Sequence, residues 1–402
     1  MMAKTRERVI EGALLLVPIV LVFVYGTFGS EAGALVVRAP ADDEVLLSAL
    51  VDPERQATFA REAELRRRPG DVRLAIEVAR RHIEDARRNN DPRALGWAEA
   101  ALAPFTSDPA ATPDVRVLRA TIRQSRHDFA GALADLDLAL AADPDHAQAA
   151  LGRATIKTIT GRPADARADC EVVRRSRALP IVSAVCNAAI DGLTGHAEQG
   201  RRRIDAVLEL DARAPPALLG WALATRGELG RALGDLDRAE ADLRRALELA
   251  PGDATIAAAL SDLLLERGRP AEVLTLVGAS DVDALVLRRA LATLATGGDA
   301  SADVATVRAR ADAARARGDV MHLREEARLA LGVDRDAARA LELALASWQV
   351  HKEVPDMRLA LEAALAAGQP QRATPIVAHA RESGLVDARV DDLVRRVVEA
   401  TP

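Results

Sequence analysis

Residues 254–277, ATIAAALSDLLLERGRPAEVLTLV, decide how the rest of this chain is read. Ile256, Leu260, Leu263 and Leu264 keep the three-to-four spacing that lines apolar side chains along one helix face. The pattern breaks at ERGRP. There Gly268 can take positive φ after a helix end, and Pro270 can occupy the first position of the next helix. With a second helix from Ala271, the stretch predicts a helix, a tight turn and an antiparallel helix.

The turn recurs. Gly161 and Gly195 lie 34 residues apart, as do Gly234 and Gly268. His127 stands 34 before Gly161 in an equivalent turn, and one 39-residue step joins Gly195 to Gly234. A fixed period of this length marks stacked repeats. Seven residues before each turn stand Ala120, Ala154, Ala188, Gly227 and Ser261; five after it stand Ala132, Ala166, Gly200, Ala239 and Val273. Small side chains there let two helices approach where their axes cross. Pro144 in AADPD and Pro251 in ELAPGD punctuate further helix ends.

These residues resemble the tetratricopeptide repeat family, most closely in RHDFAGALADLDLALAADPDH (126–146) and GRALGDLDRAEADLRRALELAPGD (230–253). The resemblance implies an all-α fold, a right-handed superhelical solenoid of antiparallel helix pairs, seven or eight in number. The solenoid is expected over 59–402, best formed over 113–280 and degenerate over 59–112 and 281–390. In the latter stretch Gly332 and Gly368, 36 apart in LALGVDRDAARA and LAAGQPQRA, read as further turns.

The N-terminus differs from all that follows. Lys4, Arg6 and Arg8 precede the apolar run ALLLVPIVLVFVYGTF, Ala13 to Phe28, and Glu31, Asp42, Asp43 and Glu44 follow it. The basic flank predicts a cytoplasmic start and an exported body. Residues 1–30 therefore read as one transmembrane signal anchor, or as a signal peptide cut within SEAGA, Ser30 to Ala34. Residues 31–58 read as a spacer. The expected place is the bacterial inner membrane, single-pass, with the solenoid in the periplasm; signal cleavage would release it there instead. A net charge of −6 and a pI near 5.8 give no reason to expect nucleic acid. The arginine triplets at 66–68 and 201–203 read as solvated helix faces.

Cys170 falls on the second helix of one repeat and Cys186 on the first helix of the next. In an exported body they would form a disulfide; otherwise they are two small buried hydrophobes. No phosphate-binding glycine loop, HExxH, GxSxG or CxxC occurs, and the seven histidines show no ligand spacing. No enzyme activity, metal, cofactor or small-molecule substrate is expected. The acidic run with Asp135, Asp137, Asp143 and Asp145 reads as a solvated helix face.

In the family it resembles, the first helix of each pair lines a concave groove. That implies partner contacts at Val117, Thr121 and Gln124, then Leu151, Thr155 and Thr158, then Val185, and later Glu228, Arg231 and Asp262. The lysines, asparagines and arginines with which some relatives clamp an acidic C-terminus are nearly missing here. Such a groove suits an apolar or amphipathic helix, or an extended segment, of another protein, with the chain's own terminal segments as the alternative occupant. Trp97 and Trp348 read as core, while Trp221 reads as core or as a groove anchor. The function expected is a non-enzymatic protein-interaction scaffold in the cell envelope. The alternative is a non-catalytic subunit of a membrane transport or enzyme complex.

Overall fold

The computed structural model describes residues 53–89, 93–106, 111–176, 179–316 and 323–401, and all its regular elements there are helical. The first helices are α1 (Pro53–Arg67), α2 (Val72–Asn89), α3 (Arg93–Thr106), α4 (Pro113–Ser125), α5 (Phe129–Ala142), α6 (Ala147–Ile159) and α7 (Pro163–Arg175). Next come α8 (Pro180–Leu193), α9 (Ala197–Leu210), α10 (Pro216–Ala232), α11 (Leu236–Leu249), α12 (Ala254–Glu266), α13 (Pro270–Val277) and α14 (Asp283–Ala295). The last are α15 (Ser301–Ala316), α16 (Leu323–Leu329), α17 (Ala337–Val350), α18 (Val354–Ala366), α19 (Thr374–Glu382) and α20 (Ala388–Ala400). From α2/α3 to α18/α19 the helices pair as nine hairpins, with α1 ahead of them and α20 closing the stack. Helix α1 starts at Pro53, inside the expected spacer, because proline suits a first helical position. The apolar run 13–28 lies outside the described residues; among those described, no helix is long and apolar enough to cross a membrane.

The turns form as their residues dictate. His127, Gly161, Gly195, Gly234 and Gly268 all take positive φ, between 60° and 80°. The next amide then reaches back five residues, as in Asp128 N–H to the Arg123 carbonyl (2.9 Å) and Arg269 N–H to the Leu264 carbonyl (2.9 Å). These bonds satisfy carbonyls that a helix end would otherwise orphan. Four of the five returning helices start in one of two ways, and α9 after Gly195 has neither. Asp128 and Asp235 cap α5 and α11 through their side chains, whereas Pro163 and Pro270 open α7 and α13.

The small residues on either side of each turn are all buried. At Gly200 a methyl group would sit 2.9 Å from the Ala188 carbonyl oxygen, so that crossing tolerates nothing larger than glycine. On α12, Ile256, Leu260, Leu263 and Leu264 are each at most 2% exposed. Burying each contributes roughly 1.5–3 kcal/mol relative to exposure. The longer step after Gly195 lies mostly in α10, which has 17 residues against 14 in α8 and 13 in α12, and only slightly in the connection 211–215.

Four readings change. The late turn belongs to Arg335 (φ 54°), not to Gly332, because α16 continues through a π-helical turn, Ala330–Asp334. Gly332 is instead a point of close approach, where a methyl would lie 2.9 Å from a Leu291 methyl. Trp348 is core at 3% exposure, but Trp97 is half exposed beside His82, in the first hairpin of the described stack. Asp135, assigned to a solvated face, is 1% exposed and receives Arg119 and Arg123 of α4. Asp169 of α7 likewise holds Arg153 and Lys157 of α6, and Asp242 of α11 holds Arg226 of α10. The fourth hairpin inverts the pattern: Asp191 sits on α8 and Arg203 on α9. The triplet at 201–203 is thus a structural element in part.

Candidate partner groove

The first helices of the middle hairpins face inward and line a cavity of about 240 Å³. Leu151, Thr155 and Thr158 come from α6, Val185 from α8, Trp221, Glu228 and Arg231 from α10, and Asp262 from α12. Eight of the expected groove residues thus surround one space. Val117, Thr121 and Gln124 do not; they are buried in α4, away from it. Thr155, Thr158 and Thr225 donate their hydroxyls to carbonyls four residues back, at 2.8–3.0 Å, so these donors are spent within their own helices. Trp221, 2% exposed, forms part of the wall.

The groove is not open along its length. The C-terminal arm, α18 to α20, packs over its charged end. Val354 and Pro355 at the start of α18, and Asp387 and Arg389 at the start of α20, complete the wall. The backbone N–H of Lys352 donates to the Ile159 carbonyl at the end of α6, at 2.7 Å. The His351 ring meets His127 edge-on, 4.6 Å between centroids, and lies 5.7 Å from Phe129. Burial, then Arg324 and His127, push His351 down to about 2, so it is neutral at physiological pH.

Ion pairs complete the closure. Arg231 of α10 stands between Glu228, at 2.8 Å, and Glu266 of α12, at 3.0 Å. Each of these carboxylates takes a second guanidinium from the arm. Arg389 reaches Glu228 at 2.7 Å, and Arg358 pairs with Glu266. Burial raises the Glu228 carboxyl, but Arg231 and Arg389 outweigh it and hold the group at about 2. Burial alone would lower the Arg389 guanidinium; Glu228 and Asp387 hold it above its ordinary value. Asp262 follows the same logic with Arg288, at 2.6 Å and fully buried, and Arg328, at 2.7 Å. Despite its burial, these two cations keep its carboxyl far below the usual range.

Cys170 and Cys186, joining α7 to α8 with Cys186 in the cavity wall, stand in disulfide geometry with Cα atoms 5.7 Å apart. Among the described residues no cluster of three metal-ligating side chains occurs. Sequence reading missed Arg358 and Arg389, because nothing in a repeat pattern says which distant helix will meet a groove. It also missed an apolar groove of about 570 Å³ between α1, α2 and α3, bordered by the exposed Phe59 and Trp97.

A tetratricopeptide-repeat family model matches residues 231–281, the end of α10 through α13. No curated protein sequence matches the chain. Solved structures that resemble it include a tetratricopeptide repeat protein from Parabacteroides merdae, at 15% identity and a TM-score of 0.40, covering 71% of this chain and 98% of that one. The APC/C hetero-tetramer Cut9-Hcn1 is similar at 12% identity and 0.47, covering 82% and 63%. The human IFIT1 dimer with m7Gppp-AAAA is similar at 12% and 0.46, covering 92% and 94%. Over its described residues the chain is an all-helical repeat solenoid that resembles tetratricopeptide repeat proteins.

Proposed function

We propose that this protein is a non-enzymatic protein-interaction scaffold of the bacterial cell envelope, held at the inner membrane by residues 13–28 with its solenoid in the periplasm. The observation that carries the binding role is the inner-helix cavity, where Leu151, Thr158, Val185 and Trp221 gather apolar surface on rigid elements. Concave, largely apolar sites with a few placed polar groups are where partners bind. The envelope placement rests on the charge flanks of the apolar run, and the Cys170–Cys186 geometry is compatible with an oxidising compartment.

A photocrosslinking residue at position 158, on the cavity wall, tests the scaffold reading in cells. It is expected to capture one defined protein that the same residue at position 202, on an exposed face, does not. Equal capture from both positions, or none from 158, ends this reading. Protease accessibility in spheroplasts checks the side of the membrane, and extraction by detergent but not by salt checks the anchor. The second reading, a non-catalytic subunit of a membrane complex, is favoured by the open groove at Phe59 and Trp97, close in sequence to the apolar run. Stoichiometric co-purification with one membrane protein, lost on Trp97→Ala, would select it.

A further inference from the structure

The wall of the inner-helix cavity is hydrocarbon: Leu151 and Ala154 of α6, Val185 and Ala189 of α8, Trp221 of α10 and Ala259 of α12. The hydroxyls of Thr155, Thr158 and Thr225 are committed to their own helices. Every charged side chain of the rim already has a counter-ion. Glu228 holds Arg231 and Arg389, Asp262 holds Arg288 and Arg328, Glu353 holds Arg324, and Asp387 holds Arg389. A charged guest would find none to spare, and burying an unpaired charge is costly. One donor is left over. Arg231, 5% exposed, borders the cavity; its terminal nitrogens go to Glu228 and Glu266, while its Nε has no acceptor. A buried donor without a partner is destabilising, and an oxygen on a guest relieves that.

Size narrows the guest further. An apolar cavity of about 150 Å³ takes benzene, so one of about 240 Å³ takes on the order of ten carbon atoms. A single turn of even a polyalanine helix carries about eighteen heavy atoms, too many for this space. Trp221 is the only aromatic side chain on the wall, so no pair of rings is present to stack on a planar guest. We propose that the cavity binds a neutral, single-chain aliphatic compound of about ten carbons with an oxygen at its head, a fatty alcohol or a monoacyl ester. The chain lies against the apolar wall and the head oxygen accepts from Arg231 Nε. This rests on the cavity being the binding site, as the scaffold reading has it, and names the chemistry of what enters.

The probe is 10-bromodecanol, whose bromine quenches tryptophan on contact, added to the full chain in one fixed detergent. It should quench wild type and lose its effect in Trp221→Phe, while Trp97→Ala leaves the quench in place. Ala189→Leu, which fills the cavity from its wall, should weaken binding at least tenfold; if that variant does not fold, Ala259→Leu on the neighbouring α12 replaces it. The headless 1-bromodecane and the charged 10-bromodecanoate should each bind about tenfold more weakly than the alcohol. Unlabelled 1-decanol and monodecanoylglycerol should displace the probe, and whichever does so at the lower concentration identifies the head group. Quenching that survives Trp221→Phe but not Trp97→Ala places the compound between α1 and α3 and overturns the proposal. Equal binding by wild type and the filled variant, or of the three bromo compounds, overturns it as well. Protein capture at position 158 without alcohol binding removes the aliphatic guest and leaves the scaffold reading; alcohol binding without capture supports the guest and removes the scaffold.

Discussion

Asp169 and Glu228 each hold two cations, but they join different things. Asp169 ties the two helices of one hairpin, and its arginine lies 16 residues earlier in the chain, the same separation as in Arg119–Asp135 and Arg226–Asp242. Glu228 ties the middle of the solenoid to a helix 161 residues later. The first kind of contact is local and repeats with the period; it forms when a hairpin forms. The second depends on the accumulated curvature of many hairpins. The regular region is accordingly a row of self-sufficient units, while the arm is held by a few contacts that can be given up together.

The comparison breaks first at its strongest point. Asp169→Asn leaves Arg153 and Lys157 around a buried site without its carboxylate. Removing one side of such a cluster costs about 3–5 kcal/mol. The lower end is expected, because Arg153 keeps Asp137 at 2.6 Å. Arg358→Ala removes a partly exposed contact and should cost less than about 1 kcal/mol. Urea denaturation of both variants checks this. A larger loss from Arg358→Ala would mean that the arm, not the hairpins, governs folding.

That division also separates what the sequence disclosed from what it hid. The turns at Gly161, Gly195, Gly234 and Gly268 were legible because positive φ leaves glycine as the low-strain choice there. The crossings at Ala188 and Gly200 were legible because close approach demands small side chains. Arg335 was hidden, since an arginine in a left-handed turn carries no signal of it. Asp135 was misjudged because its own helix shows an acidic run, and its cations sit on the preceding helix. Eight groove residues could be read, because each helix presents one face inward. Closure by a terminal segment could be read only as an alternative, and its residues, Arg358 and Arg389, not at all, because no local pattern encodes where the solenoid meets itself.

The next test concerns the link between α7 and α8. Bonded cysteines 16 residues apart contribute about 3 kcal/mol in the chain-entropy model. Melting with and without reductant should therefore differ by several degrees, and Cys170→Ala/Cys186→Ala should remove the difference. Alkylation of the exported, unfolded protein without reductant is expected to label neither thiol; two labelled thiols would show that the pair is a packed contact only.

Smaller effects resolve the two regions at equal chemistry. Gly268→Ala places a side chain at φ 68° with nothing within 4 Å, so it should cost about 1–2 kcal/mol from backbone strain alone. Gly195→Ala carries the same strain at φ 75° and would also drive its methyl into the Gly384 carbonyl oxygen of the arm. It should therefore cost more than Gly268→Ala and raise amide exchange around Gly384. Equal costs, with no change in exchange, would show that the arm does not rest on this turn.

Acid should loosen the arm through Glu228, and the sign follows from its environment. Its carboxyl sits at about 2 in the folded protein, against an ordinary 4.5, because Arg231 and Arg389 outweigh the effect of burial. A carboxyl held low contributes stability that is complete above its unfolded value and is lost as pH falls toward its folded one. The contribution of Glu228 is therefore present above about pH 4.5 and fades between there and about pH 2. Glu353, in the same closure, works the other way: burial raises its carboxyl, only partly offset by Arg324, so its protonation relieves the fold. The melting difference between wild type and Glu228→Gln should shrink steadily over that window. A difference that stays constant down to pH 2 would mean that Glu228 supports the arm through packing alone, and that the two regions differ in distance along the chain but not in the nature of their bonds.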